Sequence, residues 1–148
     1  MSPRFCVGVR LSPEDRGNAK GLDLDESLQV ARWLADDGVD FVHASLWNAA
    51  QQTRKRPGEH PIPLVRAAVP KDVAVIVAGS LWTHAEAEAA LARGADMVAI
   101  GRAAIVNPEW PRTDGVKRTP VTRAELAEVA VSPQFAEYLT RWKNFVAD

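Results

Sequence analysis

Two glycine-containing turns carry the clearest chemical signal in this sequence. The turn Gly79–Ser80 follows the apolar run Val73–Ala78, and the turn Gly101–Arg102 follows a second apolar run, Met97–Ile100. A glycine ahead of a helix lets backbone N–H groups approach an anion closely, and the start of the helix adds its own unpaired N–H groups. Arg102 adds a positive charge. The spacing therefore predicts that the two turns together bind one phosphate group.

The rest of the chain has to position these turns, and its apolar runs alternate with helix-forming segments. Strands that alternate with helices and form unbroken apolar runs are typical of a parallel sheet covered by helices. We therefore predict an α/β fold of four strand–helix units followed by a helical tail. The predicted strands are Phe5–Leu11, Val39–Ser45, Val73–Ala78 and Met97–Ile100, and the predicted helices are Asp25–Asp37, Leu64–Val69, Thr83–Arg93, Arg123–Val129 and Pro133–Phe145.

Local signals mark where the helices begin. Asp25 stands where an N-cap is expected for the first helix, and Thr83 and Glu86 form a capping-box pattern at the third. In that pattern the hydroxyl and the carboxylate each accept a hydrogen bond from the other residue's backbone N–H. We interpret Asp23 and Glu26 as further loop and helix-start acids, and not as a catalytic pair.

Composition excludes several classes of function. The 148 residues suffice for one domain, and the formal net charge of −1 gives no bias towards nucleic acid or an anionic membrane. The basic run Arg54–Arg56 lies beside Pro57, so we interpret it as a solvated loop. The single cysteine, Cys6, excludes an intramolecular disulfide. No apolar run approaches the ~18 residues that a membrane span needs. We expect a cytoplasmic protein with no nucleic-acid or membrane partner.

Four strand–helix units can form an open doubly wound sheet or half of a barrel. The dinucleotide-binding open sheet usually carries Gly-x-Gly-x-x-Gly after its first strand, whereas the first strand here runs into Arg10-Leu11-Ser12-Pro13. In a (βα)₈ barrel, the loops after the last two strands build a phosphate site together. The two glycine turns follow the last two predicted strands, so the sequence favours the half-barrel.

The order and spacing of several motifs resemble the old yellow enzymes, the FMN-dependent NAD(P)H:flavin oxidoreductases. GVRLSPED comes first, GLDLDESLQVARWLADDGVDFVHAS and VIVAGSLWTHAEAEAALARGADMVAIGRAAIVNPEWP follow, and the stretch covers Val7–Pro111. The sequence is most similar to the carboxyl-terminal half of the xenobiotic-reductase branch. The resemblance implies that residues 1–111 form parallel strands 5 to 8 of the family's TIM barrel. Residues 112–148 would then form a C-terminal helical tail that packs on the same domain.

The resemblance also implies a set of cofactor-binding residues. Arg10 matches the arginine that faces the pyrimidine edge of the flavin, where a guanidinium stabilises the negative charge that hydride uptake leaves near N1 and the C2 carbonyl. Ser45, at the end of the second strand, either faces the cofactor or caps a loop. The residues matched to the two phosphate turns are Ala78, Gly79 and Ser80 in the first and Gly101 and Arg102 in the second.

Each of these residues also has a structural interpretation. Arg10 could cap the strand end in an ion pair, Gly79 could serve a plain strand-to-helix turn, and Arg102 could be a surface arginine at a helix start. An arginine there is unfavourable beside the positive end of the helix dipole, which favours a bound anion. We expect packing roles for His43, Cys6, Trp47 and Trp110. The histidines His43, His60 and His84 share no spacing that suggests a metal site.

The family's remaining catalytic groups do not match this sequence. In the family, a His-x-x-His or His-x-x-Asn pair and a proton-donating tyrosine belong to the amino-terminal half. This sequence has neither pair, and its one tyrosine, Tyr138, lies in the tail. The resemblance therefore assigns no catalytic residue to this chain and implies a truncated or split enzyme. A half-barrel exposes sheet edges and its inner face, so we expect a homo-oligomer or a complementary half-barrel partner.

Three functions follow from these observations. The first is the FMN-binding half of an NAD(P)H:flavin oxidoreductase of the ene-reductase type, in which NADH or NADPH passes hydride to FMN and FMN passes it to an activated alkene. The second is a flavin- or phosphate-binding module without turnover. The third is half of a barrel-type isomerase or aldolase that binds a sugar phosphate at the same turns. Enzyme activity is implied by the family and not by residues of this chain alone.

Overall fold

A four-stranded parallel sheet forms the centre of the first part of the chain. The computed structural model describes residues 5–15, 21–113 and 116–147. The strands lie side by side in chain order, β1-β2-β3-β4, and every neighbouring pair is parallel. This arrangement confirms the predicted α/β fold. The elements are β1 (Gly8–Leu11), α1 (Leu24–Asp36), β2 (Phe41–Ser45), α2 (Pro61–Ala68), β3 (Ala74–Ala78), α3 (His84–Ala92) and β4 (Met97–Val98).

The two faces of this sheet differ in burial. Val42 and Ala44 of β2 are fully buried, as are Val75 and Val77 of β3. The residues between them, such as His43, are only partly buried. Successive side chains of a strand point to opposite faces, so one face carries the core and the other stays half-exposed. The apolar runs predict burial on both faces, and the structure shows it for one.

The first helix begins one residue earlier than predicted and has a different cap. Asp23 is the N-cap, because its side chain accepts hydrogen bonds from the backbone N–H groups of Asp25 and Glu26. Asp25 lies in the first turn, where its carboxylate pairs with Lys55 and Arg56. The prediction that Asp25 caps the helix is therefore wrong. Both aspartates precede the apolar pattern, and only the backbone geometry at Asp23 distinguishes them.

The basic loop is tied to the start of α1. Lys55 Nζ lies 2.6 Å from a carboxylate oxygen of Asp23 and 2.8 Å from one of Asp25. These hydrogen bonds with Lys55 lower the pKa of both carboxyl groups. The run is thus an exposed, ion-paired loop, which agrees with the predicted loop. The second helix also starts earlier than predicted, because Pro61 occupies its first turn and the ring of His60 accepts from the backbone N–H of Ile62.

Two compact units divide the chain by their internal contacts. One comprises Met1–Leu81 with Ala85–Ala99, and the other comprises Trp82–His84 with Ile100–Asp148. The second contains α4 (Arg102–Val106), a 3-10 turn (Trp110–Arg112), α5 (Arg123–Glu128) and α6 (Pro133–Leu139). It also contains a small parallel pair, β5 (Val121–Thr122) with β6 (Val146–Ala147). The division into residues 1–111 and 112–148 stays a prediction.

The second unit has its own apolar centre. Phe145, Leu126, Leu139 and Val121 are at most 2% exposed. The sequence predicts its two longer helices but not the β5–β6 pair, whose strands are two residues each, with 24 positions from the end of one to the start of the other. Pairing at that separation leaves no local pattern. Trp142 is 40% exposed, whereas Phe145 is buried as expected for a packed residue.

Two residues that were expected to pack are exposed instead. Cys6 is exposed because ladder pairing begins only at Gly8, so the chain before it lies outside the sheet. Trp47 is 79% exposed in the loop that follows β2. Trp110, by contrast, is 9% exposed and packs as predicted. Across the described ranges 5–15, 21–113 and 116–147, the helices are too short or too polar to cross a bilayer.

Candidate functional site

Arg10 and Ser45 come together on the half-exposed face of the sheet. In the β1–β2 register Arg10 lies beside His43, and Ser45 is two residues further along, so all three side chains share one face. The Nη2 group of Arg10 donates a hydrogen bond to Ser45 Oγ at 2.5 Å. Ser45 therefore helps to orient the guanidinium at the carboxyl ends of the strands. That edge is where open and closed parallel α/β folds bind ligands.

His43 lies next to Arg10 and is held neutral. Burial lowers the pKa of His43, and the nearby positive charge of Arg10 lowers it further. Its Nε2 atom is buried and has no hydrogen-bond partner within the described residues. His43 is packed, as predicted. A neutral imidazole leaves Arg10 as the positive charge on this part of the face.

The turn Gly79–Ser80 follows β3 and lies against the loop after β2. A Cβ on Gly79 would lie 2.7 Å from the carbonyl oxygen of Leu46 and 3.0 Å from the backbone nitrogen of Ala49. The N–H of Ala49 donates to the carbonyl of Gly79 at 2.8 Å, and the N–H of Leu46 donates to that of Ala78 at 2.7 Å. Glycine is thus required at position 79 because the loop after β2 approaches its backbone closely. This contact supports the interpretation of Gly79 as a strand-to-helix turn.

Ser80 continues this turn in a backbone conformation that is unusual for its residue type. Its φ is 51°, in the left-handed region, and its Oγ donates to the carbonyl of Trp47 at 3.3 Å. The contact adds a side-chain bond to the backbone bonds between the two loops. The structure therefore places Ala78, Gly79 and Ser80 at the same edge of the sheet as Ser45, which pairs with Ala78 in the β2–β3 register.

Gly101 and Arg102 belong to the second unit and differ from the first turn. A Cβ on Gly101 would meet nothing within 4 Å, so the space in front of this backbone is open. Its carbonyl accepts from the N–H groups of Ala104 and Ile105, which starts α4. The Arg102 guanidinium lies over the indole ring of Trp82, 5.9 Å from the ring centre. Arg102 is thus held at a fixed ring in the second unit.

Trp82 is itself firmly placed. It is 7% exposed, and its carbonyl accepts a hydrogen bond from Nε1 of Trp110 at 2.7 Å. Trp110 packs edge-on against the ring of His84 at 4.6 Å, and Nε2 of His84 lies 2.6 Å from the Trp110 carbonyl oxygen. A second guanidinium, that of Arg118, lies 5.6 Å from the Trp82 ring centre. The sequence interpretation missed Trp82 and Arg118, since neither has a motif of its own.

The predicted phosphate residues are thus distributed between the two compact units. Ala78–Ser80 lie in the first unit and Gly101–Arg102 in the second. The prediction that the two turns bind a single phosphate stays a prediction. Within each unit the structure shows local geometry only: a self-packed turn after β3, and an open glycine followed by a ring-stacked arginine.

Comparison with known proteins places the chain in a family. The model of the NADH:flavin oxidoreductase / NADH oxidase family matches residues 2–118. The chain is 32% identical over 108 residues to a probable NADH-dependent flavin oxidoreductase, YqiG, of Bacillus subtilis, covering 72% of this chain and 29% of that protein. It is 32% identical over 112 residues to the NADH:fumarate oxidoreductase of Klebsiella pneumoniae, a match that covers 72% of this chain and 12% of that protein. It is 31% identical over 132 residues to the NADH:acrylate oxidoreductase of Vibrio harveyi, which covers 85% of this chain and 13% of that protein.

Solved structures show the same fold. A variant of NCR from Zymomonas mobilis matches with a TM-score of 0.55 at 24% identity, over 76% of this chain and 36% of that one. Morphinone reductase in complex with tetrahydroNAD matches with a TM-score of 0.53 at 23% identity, over 80% of this chain and 31% of that one. The chain spans less than two fifths of each of these relatives. With most of its length matched by the family model, the chain belongs to the NADH:flavin oxidoreductase / NADH oxidase family, the old yellow enzymes.

Proposed function

We propose that this chain is the FMN-binding part of an NAD(P)H:flavin oxidoreductase of the ene-reductase type. The observation that carries the proposal is the Arg10–Ser45 pair on the half-exposed face at the carboxyl ends of the strands. Two relatives are named for fumarate and acrylate, which are alkenes conjugated with a carboxylate. Their names support an activated alkene as the substrate and NADH or NADPH as the reductant.

The residues present fit the flavin ring. FMN, when bound, would supply hydride transfer between the nicotinamide and the alkene. Arg10 is an exposed guanidinium whose orientation is set by Ser45, so it can balance negative charge on the pyrimidine edge of the ring. Neutral His43 adds no second cation beside it. We propose that the proton donor and the other catalytic residues come from another part of the enzyme.

The residues present also fit a phosphate. The open space above Gly101 admits a ligand atom close to the backbone, and the next residue, Arg102, supplies a positive charge. Ser80 has a hydroxyl in the turn after β3. We propose Ala78, Gly79, Ser80, Gly101 and Arg102 as the phosphate-binding residues, on the strength of the family resemblance and these local geometries.

The half-exposed sheet face supports the proposal of a partner. Phe41, His43 and Ile76 lie on that face, and the buried Nε2 of His43 lacks a hydrogen-bond partner among the described residues. A buried polar atom without a partner costs free energy, so a complementary half-barrel that donates to or accepts from Nε2 would stabilise the chain. We propose such a half-barrel, or a second copy of the chain, as the partner. We also propose a cytoplasmic location.

A reduction assay tests this function. The purified chain is saturated with FMN, freed of unbound flavin and treated with NADH without oxygen, while the flavin absorbance is followed. We expect bleaching for the wild type and slower bleaching for Arg10→Ala. Arg32→Ala is the matched control, because Arg32 is an exposed arginine of α1 that donates a hydrogen bond to Gln29. If NADH never bleaches the bound FMN, the proposed oxidoreductase function is overturned, and a flavin-binding module without turnover is favoured.

A further inference from the structure

His60 caps α2 through its imidazole ring. The Nδ1 atom accepts a hydrogen bond from the backbone N–H of Ile62 at 3.3 Å. Pro61 and Pro63 flank Ile62 and have no N–H, so Ile62 carries the one backbone donor among the first three helical positions. Ile62 is fully buried. The start of α2 therefore depends on the acceptor that His60 provides, because a buried N–H without a partner is costly.

The same ring also lies close to the loop after β2. Its Nε2 atom is buried, and the backbone of Ala49, which is 3% exposed, is near enough to influence the ring. The N–H of Ala49 donates to the carbonyl of Gly79 at 2.8 Å, and the N–H of Leu46 donates to that of Ala78 at 2.7 Å. Residues 46–60 are thus bonded to the turn after β3 at one end and to α2 at the other.

Protonation of His60 would remove the acceptor at the start of α2. An imidazolium carries a hydrogen on both ring nitrogens, so Nδ1 could no longer accept from Ile62. The N–H of Ile62 would then need water, which reaches it only if the loop opens. The new charge would also lie beside the positive end of the α2 dipole. The closed loop and the protonated ring therefore oppose each other.

The surroundings of His60 act in the same direction. Burial lowers the pKa of His60 and the positive charge of Arg93, which follows α3, lowers it further, while the backbone of Ala49 opposes both in part. The neighbouring carboxylate, Glu59, is exposed and lies 3.6 Å from Arg56. The contribution of the neutral ring to stability is thus present above the ordinary pKa of 6.5 and is lost as the pH falls through the lowered pKa.

We propose that His60 is a pH-sensitive switch of the loop after β2. The neutral ring keeps the loop packed on the turn Gly79–Ser80, and the protonated ring releases the loop together with the start of α2. The turn lies at the carboxyl edge of the sheet, where parallel α/β folds bind ligands, so the switch controls how firmly this edge is formed. It needs no bound cofactor and stands apart from the proposed FMN function.

Amide hydrogen exchange of the full chain, corrected for the intrinsic exchange rates and measured from about pH 7.5 to pH 5, tests the switch. The amides of Ile62 and Ala49 report on the two ends of the loop. In the wild type we expect the opening constant of both to rise about tenfold as the pH falls, the effect of one lost cap. His60→Asn keeps a capping oxygen and does not titrate, so both constants should stay level. His43→Gln is the matched control, because the pKa of His43 is also lowered, and it should retain the rise.

Each other outcome overturns the switch. Opening constants that stay level in the wild type would show that the ring does not titrate with the loop. An equal rise in His60→Asn would assign the pH dependence to another group. A rise at Ile62 without one at Ala49 would leave an acid-sensitive helix cap and no control of the loop. A chain that never binds FMN would change none of these measurements, so failure of the proposed function is recognised separately.

Discussion

Gly79 and Gly101 occupy equivalent places in the sequence pattern, and the structure predicts opposite responses to alanine. At Gly79 the added Cβ would lie 2.7 Å from Leu46 O, 2.9 Å from Leu46 Cβ and 3.0 Å from Ala49 N. Two of these atoms belong to the backbone, so the loop after β2 must move. Overpacking of this kind costs about 1–3 kcal/mol. At Gly101 the Cβ meets nothing within 4 Å, and φ is −101°.

The magnitudes follow from these contacts. Gly79 has a φ of 156°, at the limit of the region that side chains avoid, so we take the steric cost alone and expect a loss of about 1–3 kcal/mol in the free energy of unfolding. With a urea m-value of about 2 kcal/mol/M, the midpoint falls by about 0.5–1.5 M. Gly101→Ala makes no such contact, so it should lower the free energy of unfolding by less than Gly79→Ala does.

A third glycine separates backbone strain from steric clash. Gly38 has a φ of 86° and nothing within 4 Å of its Cβ position. Gly38→Ala should therefore lower the free energy of unfolding by about 1 kcal/mol, the cost of the left-handed conformation alone. Urea unfolding of the three variants, followed by circular dichroism, measures the series. A stability of Gly79→Ala equal to that of Gly101→Ala would refute the reasoning from close approach.

Two further predictions concern helix capping and pH. Asp23→Ala removes the N-cap of α1 and should lower the free energy of unfolding by about 0.5–2 kcal/mol. Asp23→Ser keeps a capping oxygen and should lose little stability, and Asp25→Ala should lower the free energy of unfolding by less than Asp23→Ala does. Thermal unfolding of the three variants measures these differences. The pKa of His43 in the folded chain lies below its ordinary 6.5, so the unfolded chain binds more protons at this group as the pH falls. The contribution of His43 to the free energy of unfolding is therefore fully present above pH 6.5 and is lost as the pH drops below it. His43→Gln should flatten this fall below about pH 6.5, and an unchanged slope would contradict the assignment.

The strands and the turns could be predicted because their signals are local. Each strand is a short apolar run, and each turn has its glycine at the strand's end, as Gly79 and Gly101 show. The need for glycine at position 79, however, comes from Leu46, a residue 33 positions earlier in the sequence. No local pattern contains that contact, so the sequence could not show that the loop after β2 requires glycine at position 79.

The second unit shows the same limit more strongly. Trp82 and Arg118 are 36 positions apart, and Lys117, the residue before Arg118, is hydrogen-bonded to Asn107 ten positions earlier. Each of these residues is ordinary in its local sequence. Arg102 could be singled out because it follows a glycine after a strand. Its neighbour on the ring could be found only from the fold.

Calorimetric titration of the full chain with FMN tests the central claim most directly. The account predicts one saturable FMN site per chain and weaker binding of riboflavin, because riboflavin lacks the phosphate that we propose Arg102 to bind. Gly101→Ala should weaken FMN binding with its free energy of unfolding nearly unchanged, since the new Cβ would fill the open space above that backbone. A folded chain that takes up no FMN, or takes up riboflavin equally well, would contradict the account.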